Sequence, residues 1–394
     1  MWIPSSAIVT TPAHAFYERL NGILQRHSFD GKSEQLCRRY YKEPYGRPSL
    51  SPGIYFRMLL IGYLEGLDSE RGIAWRVADS LSLRKFLGYG LDEETPDHST
   101  LSRTRRLYAV ETHRAVFQWV LKILQQEGLI EGKRISIDAT TLEANAALKN
   151  IVHRETGEKY EEYLKRLAQA AGMEKPTREQ LARLDRKRKK KGSNKEWKSR
   201  SDGDARITKM KDGRTHLAHQ AEHGVDLTTG ALLSLTLHPA DQGDTTTMWQ
   251  TLPEAQAIAR KNKGTGVEEA ALDKGYYSGA VLKKLQRRKI RTYIPEPEYK
   301  HRHWQGAGKK LEQKLVYANR CRTRRAKSKR LQKRRTELTE RSFAHLYETG
   351  GMRRVHLRGR TNILKRYYCR AADSICPWSC GSSWAQASHD SSRG

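Results

Sequence analysis

Two short apolar runs in the chain end on an aspartate, Ile135-Ser136-Ile137-Asp138 and Ala270-Ala271-Leu272-Asp273. In the first, Ile135 and Ile137 alternate with Ser136 and Asp138, as a strand's period of two requires, and Gly132 marks its start. A buried strand seldom ends on a charged group unless that group is paired or holds a metal. If the two strands are neighbours, they lie about 4.8 Å apart and both carboxylates emerge at one edge. Two bare carboxylates that close repel, and a divalent cation relieves the conflict. A later helix, read from Leu331 to Tyr347, carries Glu337 and Glu340 on one face, and helix geometry alone does not choose between them as a third oxygen ligand. Such an all-oxygen set suits two Mg²⁺ ions, with Mn²⁺ as a substitute, and its chemistry would be in-line displacement at phosphorus. Glu143, Asp226, Asp241 and Asp244 compete as carboxylates near strand ends, although Asp244 reads better as a helix cap.

The elements that must position these acids follow from the pattern. The first 131 residues read as helical: His14 to Gln25, Pro52 to Leu67 with Pro52 in the first turn, a helix capped by Ser69, a helix opened by Pro96-Asp97-His98-Ser99-Thr100, and Val110 to Gln126. The helix after Asp97 carries Arg103, Arg105 and Arg106, compatible with a helix-turn-helix reader or with a solvated basic helix. After the Asp138 strand, residues 150–212 read as a basic helical insertion containing Arg186-Lys187-Arg188-Lys189-Lys190-Lys191. Consecutive cations repel one another, so this run is expected to contact phosphate. From Leu217 the pattern turns to strands, with a hairpin through Thr228-Thr229-Gly230 into Leu233, Leu235 and Leu237. A helix from Asp244, the Asp273 strand, a helix capped by Ser278 and a strand from Ile290 to Pro295 follow, and residues 298–330 form a second basic insertion.

Composition points the same way. Lys and Arg number 74 against 44 Asp and Glu, a net charge of +30 that makes nucleic acid the default partner. No run of 18 or more apolar residues and no signal segment is found, so a membrane is not expected as partner. The 5 cysteines are odd in number and scattered, which predicts a reducing, intracellular compartment; with DNA as partner, the expected setting is cytoplasmic and nucleoid-associated. His216, His219 and His223 cluster in sequence, but on a strand they lie too far apart to share zinc.

The order strand, strand, strand, helix, strand, helix, strand, helix is that of the ribonuclease H-like fold. The expected class is therefore α/β, with a mixed five-stranded sheet preceded by an all-helical N-terminal DNA-binding region. The core would occupy 132–149, 213–297 and 331–370, and 371–394 reads as a disordered tail, since Cys369 onward shows no helical period.

On these residues the chain resembles bacterial insertion-sequence transposases of the DDE type, in the IS4/IS5-like (IS1182-type) group. The resemblance runs from about Phe16 to Tyr368 and is carried by Pro96-Asp97-His98-Ser99-Thr100-Leu101-Ser102-Arg103, Ile137-Asp138-Ala139-Thr140, Asp273-Lys274-Gly275-Tyr276 and Glu340-Arg341-Ser342-Phe343-Ala344. It implies that Asp138, Asp273 and Glu340 are the catalytic, metal-binding triad, with Arg335 and Arg341 as candidate phosphate contacts. Thr336 stands where the group usually has an arginine, and Tyr347 where it has a lysine. The implied activity is metal-dependent cleavage at element ends and joining of the 3′-OH to target DNA, by a homo-oligomer assembled on DNA that recognises terminal inverted repeats. The alternatives are a catalytically inert DNA-binding derivative or decayed copy, and an RNase H-like nuclease.

Overall fold

The computed structural model describes residues 14–41, 49–188, 192–210, 212–261, 266–298, 304–306 and 309–379. The N-terminal region is helical, as its periodicity predicts: α1 (Ala15–Arg26), α2 (Phe29–Cys37), α3 (Pro52–Leu64), α4 (Glu70–Asp79), α5 (Leu81–Leu87), α6 (His98–Leu107) and α7 (Val110–Gln126). Side-chain oxygens start the helices that the sequence marked. The Ser69 hydroxyl accepts the Gly72 amide at 3.1 Å, and the Asp97 carboxylate accepts the Thr100 amide at 2.7 Å. Helix α3 is buried on nearly every side, and its Arg57 guanidinium pairs with Asp30 at 2.9 Å. A charge in that core persists because it is paired and hydrogen-bonded.

The main sheet begins with β1 (Arg134–Glu143) and is completed by β5 (Thr215–Asp226), β6 (Leu232–Pro239), β7 (Glu269–Ala271) and β8 (Arg291–Tyr293), after the short strands β2 (Ile151–His153), β3 (Trp197–Ser199) and β4 (Arg206–Lys209). The core order is β6-β5-β1-β7-β8, with β5 antiparallel to β1 and β6, and with β1, β7 and β8 parallel. The first strand is central, two antiparallel strands lie on one side and two parallel strands on the other. This is the ribonuclease H-like arrangement. Its connections are α10 (Asp244–Lys261) between β6 and β7, and α11 (Gly279–Arg287) between β7 and β8. Ile135 and Ile137 are wholly buried in the core with Leu235, Leu252, Ala270 and Leu272, each large side chain contributing about 1.5–3 kcal/mol. Gly132 enters β1 at φ +71°, where an added Cβ would stand 2.8 Å from the Ala259 side chain. Only glycine combines that backbone with that approach.

Packing adds detail to three of the expected segments. Within 150–212, α8 (Tyr160–Ala170) and α9 (Arg178–Lys187) form as expected, but β2 and β3 pair with each other and β4 pairs with the first residues of β5. The reason is aromatic: Trp197 is fully buried among His153, Tyr160 and Tyr163, giving this segment a core of its own. The second insertion is also tied down. Helix α12 (Lys309–Thr323) presents Asn319, which bonds the backbone of Ile294 at the end of β8 through 2.8 and 3.3 Å contacts.

The third concerns the C-terminal region. The helix α13 (Ala326–Ala344) starts before the expected boundary, and α14 (Arg360–Ser379) continues past residue 370, so 371–379 are helical. Cys369, Ala371 and Ala372 are small buried residues with no helical period in sequence. Helix α14 packs against α3, α7 and β6, with Cys369 in the N-terminal cluster and Ala371 and Ala372 in the sheet core, joining the N-terminal helices to the core. Lys365 donates to the Arg105 carbonyl at 2.9 Å, and Arg114 donates to the Tyr368 hydroxyl at 2.9 Å. Residues 380–394 lie outside the described residues.

Candidate active site

Asp138 does not stand at the end of its strand. β1 continues to Glu143 because β5 pairs with it throughout, from Ile135 opposite Asp226 to Glu143 opposite Ala218. The edge is instead created on the other side, where β7 pairs only with Arg134 and Ile135 and the chain then turns at Lys274–Tyr276. Asp138 and Asp273 therefore meet where the parallel pairing stops. Arg335 of α13 reaches both, with its guanidinium 3.2 Å from an Asp138 oxygen and 3.9 Å from an Asp273 oxygen. Burial pushes the Asp138 carboxyl above its ordinary pKa, Arg335 and the Ala139 amide pull it back, and Asp273 and Asp244 push it up again.

Asp244 belongs to this cluster. It is the first residue of α10, and its carboxylate accepts a 2.7 Å hydrogen bond from the Gln220 amide. Burial raises its pKa, the Gln220 bond lowers it and Asp273 raises it. An added Cβ on Gly275 would stand 2.9 Å from an Asp244 oxygen, which is what the glycine of Asp273-Lys274-Gly275-Tyr276 accommodates. Beneath, on the opposite face of the sheet from Asp138, Glu222 is fully buried. Thr247 donates to it at 2.8 Å and Tyr276 at 2.9 Å, and Thr251 donates as well. Burial pushes this carboxyl up to about 7 against the lowering effect of those hydroxyls. Glu222 thus fixes Tyr276, three residues after Asp273, and the first turns of α10. Composition and spacing missed it, and β5 has no polar–apolar alternation that would have marked it.

The other carboxylates have separate occupations. Asp226 is buried and accepts the amides of Glu131, Gly132 and Thr228, each at 2.8 Å, closing the turn into β1. Glu143 lies 3.6 Å from His216, and Asp241 lies 3.7 Å from Arg206. The three histidines are split between partners. His219 bonds Asp202 at 3.1 Å, whereas His223 bonds Ser342 at 3.0 Å and Tyr367 at 2.7 Å.

Glu337 and Glu340 are both exposed on α13. Arg335, Thr339 and Ser342 face the sheet through Asp138, Ser136 and His223, and Phe343 stacks on His223 with centroids 4.0 Å apart. At about 100° per residue, Glu340 lies about 60° around the helix from Phe343 and Glu337 about 120°. Glu340 is nearer the side that meets His223, the register partner of Asp138. Among the described residues no group of three His, Cys, Asp or Glu is gathered closely enough to hold a metal ion. The pair Asp138 and Asp273 nevertheless converges on one positive charge, and its oxygen donors suit a hard divalent cation.

The expected DNA contacts divide sharply. Arg103 and Arg106 are exposed on α6, and Arg186 and Lys187 at the end of α9. Arg105 is corrected: it is buried and bonded to Glu70 at 2.6 Å, because α6 packs that side against α4. Its guanidinium is an internal ion pair. Arg188 is half-buried, 3.4 Å from Asp185 and over the Tyr163 ring, Arg341 is exposed, and Lys189, Lys190 and Lys191 lie outside the described residues. Arg105→Ala is expected to cost about 3 kcal/mol by leaving Glu70 without its partner. Arg103→Ala and Arg106→Ala should keep the melting temperature, and each should lower the salt slope of DNA binding by about 0.9. Thermal melts and salt titrations separate the two classes, and an Arg105→Ala protein that melts like the parent sinks the assignment.

Residues 6–107 match the family described as Transposase domain (DUF772), which places the sequence similarity in the N-terminal helices. No curated protein matches the chain. A solved structure titled "Mos1 transposase paired-end complex with left transposon end" is matched at 10% identity over 79% of this chain and 82% of that chain. Its TM-score of 0.20 is too low to bear a structural argument. Among the described residues no helix is long and apolar enough to cross a membrane.

Proposed function

We propose that the chain is a DNA transposase of the DDE type that cleaves phosphodiesters at element ends and joins the freed 3′-OH to target DNA. The observation that carries this reading is the convergence of Asp138 and Asp273 on one cation at the open edge of a ribonuclease H-like sheet. The match of residues 6–107 to a transposase domain supports it, as does the net charge of +30.

In this reading Asp138 and Asp273 hold Mg²⁺ or Mn²⁺, and Glu340 on α13 is the third acid. A bound pair of such ions would activate the attacking oxygen and stabilise the leaving one. The protein's own part is positioning. The β1–β5 pairing sets Asp138, and Tyr276 on Glu222 sets the turn that carries Asp273. His223 holds α13 through Ser342 and Phe343, the two residues that follow Arg341. Arg103, Arg106, Arg186 and Lys187 would meet backbone phosphate, which positions DNA without reading its sequence. Oligomer assembly on the paired ends and a nucleoid location belong to the same proposal.

The test is a cleavage and strand-transfer assay on duplex DNA carrying the element's terminal inverted repeats, with Mg²⁺ or Mn²⁺. Nicking that leaves a 3′-OH, followed by covalent joining to a target plasmid, is the expected result. Binding with no nicking in either metal would instead identify an inert DNA-binding derivative. Preference for an RNA–DNA hybrid would identify an RNase H-like nuclease.

A further inference from the structure

The cation between the two aspartates belongs to the protein itself. Arg335 is held in that place from behind: its Nε donates to the Gln332 side-chain oxygen at 2.9 Å. The Gln332 amide donates in turn to the Tyr293 carbonyl at 2.7 Å and the Leu272 carbonyl at 3.3 Å, at the ends of the strands that flank the site. The Arg335 side chain is only 13% exposed, whereas those of Asp138 and Asp273 are 30% and 47% exposed. The carboxylates are thus open to solvent on one side and covered by a tethered guanidinium on the other.

The grip is loose where it matters. A strong arginine–carboxylate pair is bidentate, with two parallel short hydrogen bonds. Here the guanidinium is shared between two carboxylates, one nitrogen at 3.2 Å and another at 3.9 Å. It neutralises their repulsion without saturating either. A divalent cation arriving from the solvent side would outcompete a single shared positive charge, and a planar guanidinium set free beside it is well shaped for a phosphate.

We infer that Arg335 is a displaceable internal counter-ion, which occupies the Asp138–Asp273 pair in the free protein and turns to substrate phosphate when a divalent cation takes its place. This rests on the reading of those two aspartates as metal ligands. The free protein then binds metal more weakly than the bare carboxylates would, because only the fraction with Arg335 displaced is competent. The tether through Gln332 keeps the guanidinium close enough to return when metal leaves.

Mn²⁺ binding to the full chain without DNA, followed by the loss of the free-ion paramagnetic resonance signal, tests this apart from activity. Arg335→Gln is expected to bind Mn²⁺ about tenfold more tightly than the parent, and Arg335→Lys, which keeps the charge, to stay near the parent value. Equal affinity of Arg335→Gln and the parent would overturn the inference while leaving the metal site intact, and so would an Arg335→Lys value as tight as that of Arg335→Gln. If neither the parent nor Arg335→Gln binds Mn²⁺, or if binding survives Asp138→Asn with Asp273→Asn, the metal reading itself fails and the inference falls with it.

Discussion

Asp138→Asn and Asp273→Asn are each expected to reduce Mg²⁺-dependent nicking of end DNA by about a thousandfold or more, with DNA binding nearly unchanged. Asparagine keeps the shape of the side chain but removes the charge that would hold a divalent cation. Withdrawing several kcal/mol of transition-state charge stabilisation costs about tenfold in rate for each 1.4 kcal/mol. Binding should survive because the exposed arginines of α6 and the basic end of α9 lie on other elements. The third acid is tested in the same assay. Glu340→Gln should match the two aspartate variants and Glu337→Gln should cleave within a few-fold of the parent, since Glu340 lies nearer the side of α13 that stacks on His223. The reverse ranking would transfer the role to Glu337. Full cleavage by Asp138→Asn would remove the carboxylate pair from the mechanism altogether.

Glu222 should contribute a loss of stability as pH rises from about 4.5 to about 7, opposed over the same window by His113, His223 and His238, whose burial lowers their pKa values to about 4, 3 and 4 and so favours the folded state as pH rises. The Glu222 carboxyl has an ordinary value of 4.5 and is pushed up to about 7 by burial. Below 4.5 it is protonated in both the folded and unfolded chain, and its neutral form is fully compatible with the core. Between the two values the unfolded chain has released a proton that the folded chain still holds, so each step up in pH favours unfolding. Above 7 the folded protein must carry a buried charge, and the loss is complete at on the order of 3 kcal/mol. Glu222→Gln mimics the neutral acid at nearly the same volume. Urea denaturation at pH 5 and pH 8 should show the parent losing stability relative to Glu222→Gln, and parallel pH profiles would rule the assignment out. Because Glu222 also receives Tyr276 and Thr247, its ionisation couples the core to the turn after Asp273 and to the start of α10.

Asp244 shows how one residue can carry two readings. In sequence it reads as a helix cap, and nothing local suggests another role. The folded chain places its carboxylate against Gly275, where it helps raise the pKa of Asp138 and Glu222. Arg105 shows the converse. In sequence it is indistinguishable from Arg103 and Arg106, but one side of α6 packs on α4 and turns Arg105 inward onto Glu70.

The sequence by itself determined the two strands that end their apolar runs near Asp138 and Asp273, the hairpin before Asp244, the caps at Ser69, Asp97 and Ser278, and the order of elements. Periodicity and turn chemistry are local, so a strand's alternation or a helix's cap is written within a few residues. Only the tertiary structure decided that Asp138 sits mid-strand beside a neighbour that stops short, that Glu222 lies buried beneath the site, and that Arg335 bridges the aspartates. It also decided that the last helix runs on to Ser379, because the small buried residues Cys369, Ala371 and Ala372 show no pattern until the helix is packed between the N-terminal cluster and the sheet core. These features depend on which residues distant in sequence meet in space, and on how much water their meeting removes. A carboxylate's charge state and an arginine's partner are set by that burial and proximity, and neither has a local signature.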